Sequence, residues 1–268
     1  MKIFFDVDTQ NDFMNKDGAL YVQGAEEIKP NLEKLTRHAC ENSIPVLGSV
    51  DKHFGTEEYK HREGELKRWG GPFPDHCMAG THGQEKFWPT VQVLGSSIDQ
   101  NQSDIEYVVF TAYVPNPLSG ENPTLVPWDS KYSPGDACEL KPETMREIIK
   151  EYISKHTESY YERWQGINVK VTPGIFFEKQ QYDASTNPAF KVFLEMANVK
   201  EAVMYGVATD YCVRGAALAM RKLGIEVYLV TDAIAAVTDE GGRSALEEMI
   251  AAGVKPVTTA EVLRGEIK

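Results

Sequence analysis

The chain has 268 residues, with 28 Lys plus Arg against 40 Asp plus Glu and a net charge of −12. That balance repels phosphate backbones and anionic bilayers, so it argues against nucleic acid or a membrane surface as partner and leaves a small neutral substrate unopposed. No apolar run reaches the length that spans a bilayer and no basic-then-apolar leader precedes the first strand pattern, so a cytoplasmic protein built as a single α/β domain over 1–268 is expected.

Taken in chain order, "KIFFDVD" reads as a buried strand ending on Asp8. It leads into "DTQNDFM", and the acids Asp6, Asp8 and Asp12 leave two readings open. One is an aspartyl-phosphate enzyme with Asp6 as nucleophile and Asp8 as acid; the other is an amide-cleaving cysteine hydrolase. "AEEIKPNLEKLTRHACENS" follows as a helix with Ile28, Leu32, Leu35 and Ala39 on one face. "IPVLGSVDKH" is a second strand, ending in polar residues. This β-α-β opening predicts a doubly wound, mostly parallel sheet with helices on both faces, in which ligands bind at the carboxyl ends of strands, where Asp8 and Asp51 stand.

Residues 56–83, rich in Gly, Pro, His and charge, read as a long functional loop rather than packed core. Residues 94–170 read as an inserted segment (a lid, subdomain or oligomerisation arm) holding "IEYVVFTAYV" and a helix at "KPETMREIIKEYISKHT". Regular α/β patterning then returns. "GIFFEK" is a strand ending at Lys179, "AFKVFLEMAN" a helix and "EAVMYGVA" a strand. "DYCVRGAALAMRKLG" is a helix stopped by Gly224, "IEVYLVTDA" a strand, "GRSALEEMIAAG" a helix and "VKPVTT" a last short strand.

The four cysteines, Cys40, Cys77, Cys138 and Cys212, are too scattered to suggest a disulfide framework. Cys212 falls in the first turn of a predicted helix. Unpaired N–H groups and the helix dipole there favour a thiolate, so a lowered thiol pKa and a sulfur exposed at the sheet edge are expected.

"DTQNDFMNKDGALYVQGAEEI", "DKH", "GGPFPDHCMAGT" and "GVATDYCVRGAALAM", in that order, resemble the nicotinamidases of the isochorismatase-like cysteine hydrolase family. The blocks cover roughly residues 1–90 and 170–260. The resemblance implies a triad of Asp8, Lys179 and Cys212, and an oxyanion hole from the backbone N–H groups of Ala208 and Cys212 beside a cis Val207–Ala208 peptide. It implies metal ligands Asp51, His53 and His76, and ring-stacking walls at Phe13 and Phe73. Asp-x-His sets two side chains on one face of an extended strand, and mixed N and O donors suit Zn²⁺, with Fe²⁺ or Mn²⁺ as alternatives.

The implied reaction is hydrolysis of nicotinamide to nicotinate and ammonia, within NAD salvage. Three departures stand out. The fourth metal ligand is missing from its expected place, leaving His61, Glu57, Glu63 or water. Phe73 stands where Trp is common. The K-x-x-Y-D-A spacing after Lys179 is closer to the isochorismatase branch, which keeps another small amide, or an isochorismatase-type substrate, as the alternative. Under this reading Asp6 and Asp12 serve the local hydrogen bonding of the turn. Exposed helical faces leave room for a homo-oligomer.

Overall fold

The computed structural model describes residues 1–42, 44–87 and 175–267, together with the strands Val108–Tyr113, Thr124–Trp128, Tyr160–Trp164 and Ile167–Val171. Numbered along the chain, the strands are β1 (Lys2–Val7), β2 (Val46–Asp51), β3 (Val108–Tyr113), β4 (Thr124–Trp128), β5 (Tyr160–Trp164), β6 (Ile167–Val171), β7 (Ile175–Lys179), β8 (Glu201–Val207), β9 (Glu226–Ala235) and β10 (Lys255–Val257). One sheet runs β10-β9-β8-β1-β2-β7-β3-β4, parallel throughout except for the antiparallel edge strand β4. The hairpin β5-β6 forms a separate pair.

Side chains along the central strands alternate between two buried clusters, the period of 2 that a pleated strand imposes. Ile3, Phe5 and Val7 of β1 join Met204 of β8 and Leu229 of β9 on one side, where the helices Pro188–Met196, Arg214–Lys222 and Asp239–Ala251 supply Phe190, Phe193, Met220 and Met249. Phe4, Tyr205 and Tyr228 point to the other side, against Leu32 and Leu35 of the helix Ala25–Glu41 and Val262 of the helix Thr259–Leu263. Both faces are therefore dry, which is why these strands read as nearly continuous apolar runs. Phe5 is fully buried between Phe177 and Phe190; truncating it to Ala would cost about 3–5 kcal/mol.

The chain leaves β1 toward β2 and β7 and later returns to β8 on β1's other side. That reversal makes the carboxyl ends of β8, β1, β2 and β7 the switch point of the sheet, where a crevice opens. Two sequence expectations need adjusting. The loop 56–83 is not all surface: Glu63, Leu66 and Cys77 within it are fully buried. Within 94–170, β3 and β4 extend the main sheet, while the predicted helix at 141–157 lies outside the described residues. The helix Thr259–Leu263, closed by a Thr258–Glu261 capping box, was not anticipated.

Candidate active site

Asp8 immediately follows β1, Asp51 and Lys179 close β2 and β7, and Ala208 and Cys212 follow β8. Asp51 and Lys179 are register partners on neighbouring parallel strands. Their side chains therefore leave the sheet together, and Lys179 Nζ donates to Asp51 Oδ1 at 2.7 Å. The same Nζ lies 2.7 Å from Asp8 Oδ2 and 3.5 Å from Cys212 Sγ. Ser49 Oγ, two residues before Asp51 on the same strand face, donates to Asp8 Oδ1 at 2.7 Å. One ammonium thus ties two carboxylates and a sulfur into a buried knot.

The backbone bends to deliver these groups. Asp8 takes φ 47°, a left-handed turn that a short acidic side chain tolerates better than most and that swings the chain off the sheet. Gly206, at φ 118°, sits where a Cβ would overlap the Val7 carbonyl oxygen, so the end of β8 can approach β1 only because the position is bare. The Val207–Ala208 peptide is cis. The chain then forms a π-turn, Thr209–Val213, that carries Cys212 before the regular helix begins at Arg214. Asp210 anchors this turn by accepting the backbone N–H groups of Val237 and Thr238 at 2.9 and 3.1 Å.

The expected thiolate is corrected by burial. Cys212 sits at 6 % exposure, and desolvation pushes its thiol well above the ordinary range, with Asp8 and Asp51 adding to the push and Lys179 opposing it. A helix end cannot outweigh the loss of water around the sulfur. Lys179 is held protonated: burial alone would lower its pKa, but the two carboxylates raise it well above normal. Burial would likewise raise Asp51, yet Lys179 and the two histidines hold its carboxyl far below the usual range.

Beside this knot lies a second cluster. One donor atom each from Asp51, His53, Glu65 and His76 lies within 4.8 Å of all the others, and all four residues are buried. Both ring nitrogens of His53 and both carboxylate oxygens of Glu65 are buried without a hydrogen-bond partner, although His53 Nε2 and Glu65 Oε1 approach to 2.9 Å. Orphaned buried donors and acceptors are costly unless something fills the gap, and two imidazoles with two carboxylates are a donor set that a divalent cation satisfies. His76 Nδ1 meets the Pro74 carbonyl oxygen at 2.7 Å, which turns Nε2 toward the cluster.

The fourth member of the cluster is Glu65, which sequence reasoning missed. Of the expected alternatives, Glu63 caps a turn by accepting the backbone N–H groups of Phe54 and Gly55, and Glu57 and His61 are exposed. No periodicity marks Glu65; only the path of the loop singles it out. Asp51 faces both ways, with Oδ1 to Lys179 and Oδ2 3.7 Å from His76 Nε2.

Phe13 and Phe73 flank His76, with ring centroids 5.4 and 6.3 Å away. They line one cleft with Asp51, Ala208 and Cys212. Tyr182 and Tyr211, also unanticipated, complete its wall: Phe73 lies 6.0 Å from Tyr182 and 5.2 Å from Tyr211, each edge to face. Tyr211 is Cys212's neighbour and Tyr182 stands three residues past Lys179, so adjacency to the triad was the one available signal.

Residues 158–261, which include Lys179 and Cys212, match the family described as Isochorismatase domain. Over 258 residues it is 29% identical to the Nicotinamidase of Acinetobacter baylyi, covering 96% of this chain and 92% of that one. The fold recurs in the pyrazinamidase of Pyrococcus horikoshii solved in complex with zinc, at TM-score 0.58 and 22% identity over 96% of this chain and 98% of that one. It recurs in a protein of L. infantum solved in complex with nicotinate, at TM-score 0.56 and 18% identity over 97% and 93% of the two chains. At those identities the two structures speak for the fold, whose sheet here carries the Asp8, Lys179 and Cys212 cluster at its switch point. No helix among the described residues is long and apolar enough to cross a membrane.

Proposed function

We propose that this protein is an amidase that hydrolyses nicotinamide to nicotinate and ammonia through a thioester on Cys212. The observation that carries the reading is the meeting of Asp8, Lys179 and Cys212 on one ammonium, 2.7 and 3.5 Å from its partners, at the floor of an aromatic-walled cleft. Similarity to a nicotinamidase over nearly the whole chain narrows the amide.

Burial favours the protonated thiol, and in this reading the thiolate forms as the carboxamide arrives. Asp8 takes the Cys212 proton, the sulfur adds to the carbonyl carbon, and backbone N–H groups of Ala208 and Cys212 receive the developing oxyanion. Asp8 returns the proton to the amide nitrogen and ammonia leaves. Asp8 then deprotonates a water that attacks the thioester, releasing nicotinate and restoring the thiol. Lys179 keeps Asp8 and the sulfur together throughout and offsets the charge that passes between them. Ser49 holds the other Asp8 oxygen, which fixes the carboxylate's orientation. Asp51, His53, Glu65 and His76 would hold a divalent cation, zinc first by donor chemistry, which when bound supplies a Lewis-acid contact for the substrate's pyridine nitrogen. The aromatic rings around His76 would stack the pyridine. A neutral substrate and a net charge of −12 accord with a cytoplasmic enzyme that engages neither nucleic acid nor membrane.

Phe73 packed edge-on against Tyr182 and Tyr211 favours one second reading, a small amide of different outline. An ammonia-release assay over a panel of heteroaromatic and aliphatic amides decides between them. Nicotinamide is expected to lead; no ammonia from any amide would sink both readings.

A further inference from the structure

We infer that Gln10 and Asp12 are positioning residues for the cation cluster, so that the stretch from Asp8 to Asp12 builds both halves of the cleft. The inference rests on the proposed function only in taking that cluster as a divalent-cation site.

The backbone shows why such a device is needed. β1 and β2 pair in register up to Val7 and Ser49, and Asp8 N–H still donates to the Ser49 carbonyl at 3.1 Å. At Asp8 the positive φ turns the chain away, so Asp51 loses its backbone partner on the β1 side at the point where its carboxylate must be held. The Gln10 side chain replaces that partner. Its Oε1 accepts the Asp51 N–H at 2.6 Å and its Nε2 donates to the Asp51 carbonyl at 2.8 Å, as a neighbouring strand would. Nε2 also donates to the Gln84 carbonyl at 2.6 Å. Gln10 is fully buried, so none of these bonds is open to replacement by bulk water.

Asp12 does the corresponding work on the loop side. Its Oδ2 accepts the Cys77 N–H at 2.7 Å, and the Cys77 carbonyl accepts the His53 N–H at 3.0 Å. The residue next to His76 is thus clamped between Asp12 and His53, joining two cluster histidines through one residue. Oδ1 accepts the Ala19 N–H at 2.9 Å, which anchors the clamp to its own turn. Gly83 lies where a Cβ would overlap the Asp12 carboxylate, so the loop closes over this group with no space to spare. Alternation along the motif therefore addresses three targets: Asp8 meets Lys179, Gln10 meets Asp51, and Asp12 meets the link between His76 and His53.

The test uses the full chain loaded with Co²⁺ as a coloured probe. Gln10→Glu keeps the acceptor for the Asp51 N–H but loses both donors, and Asp12→Asn can accept only one of its two N–H groups. Each is expected to raise the Co²⁺ dissociation constant about 10- to 100-fold, the range seen when outer partners of metal ligands are lost, and to change the visible ligand-field spectrum. Asp232→Asn is the control, because Asp232 accepts the Thr259 N–H and hydroxyl at 2.7 and 2.8 Å at the head of a helix remote from the cluster. It is expected to cost thermal stability and leave Co²⁺ affinity unchanged. Gln10→Met, which removes every bond, is compared if it folds; the isosteric variants decide if it does not. Wild-type affinity and spectrum in both isosteric variants would overturn the inference and leave the proposed function standing. Failure of the wild-type chain to take up Co²⁺ would overturn the cation site and the inference together.

Discussion

The two halves of the cleft are made differently. Asp8, Asp51 and Lys179 stand at the ends of adjacent strands, where parallel register sets the spacing of their side chains. Glu65 and His76 come from a loop that reaches the cleft through turns, an Arg68–Asp75 ion pair and the Asp12 clamp. In the strand-end half Lys179 pairs with both carboxylates. The loop half has no such ammonium among the described residues, and leaves the His53 ring nitrogens and the Glu65 carboxylate oxygens without a hydrogen-bond partner. A sheet can gather a knot around its own ammonium, whereas the cluster beside it brings together two imidazoles and two carboxylates. Asp51 belongs to both halves and couples them.

The sharpest way to break this comparison is to remove the sulfur. Cys212→Ala is expected to lower ammonia release by at least about 10⁴-fold while metal analysis finds the cation content unchanged; loss of the metal as well would mean that the halves are not separable. Lys179→Met comes next. It leaves Asp8 and Asp51 buried without their shared cation, and an uncompensated buried charge costs about 3–5 kcal/mol, read as a lower urea midpoint. Glu65→Gln sharpens the loop side: it is expected to weaken metal binding at least about tenfold in chelator competition, while Glu63→Gln loosens the turn at Phe54 and keeps the metal.

A smaller effect concerns the thiol. Its pKa is raised in the folded chain by burial, so the sulfur stays protonated through neutral pH and its alkylation by iodoacetamide at pH 8 should be several-fold slower than in the urea-unfolded chain, where the thiol pKa returns to about 8.5. The gap closes only as pH rises past the raised value. If the sheet alone builds this half, chelation of the metal leaves that alkylation profile in place. A profile that shifts on chelation would show that Asp51 transmits the charge of the cation to the triad.

Legibility followed the same division. Apolar runs ending in polar residues marked the carboxyl ends of β1, β2 and β7, where Asp8, Asp51 and Lys179 stand; their roles were implied only by the resemblance. The strand β1 was legible in "IFFDV", because a strand buried on both faces reads as a nearly continuous apolar run, with Asp6 its one polar member. The pull on the Cys212 thiol was only half legible, because the local turn favours a thiolate while burial pushes the thiol pKa up, and the amount of water excluded is not written in the local string. Glu65 was passed over for Glu57, Glu63 and His61, which are chemically equivalent in the sequence and differ only in where the loop carries them. The contacts of Gln10 and Asp12 were not legible for the same reason: their partners lie 41 and 65 residues away.

By itself, the amino-acid order determined the alternating α/β architecture, the strand ends and the kinds of side chain presented there, since these follow from short-range periodicity and solvent exclusion. Only the folded chain decided which loop carboxylate joins the histidines, that the sulfur rests as a thiol, and that Asp51 serves two neighbours at once. Those outcomes depend on distances between segments far apart in the chain, and no local pattern encodes them.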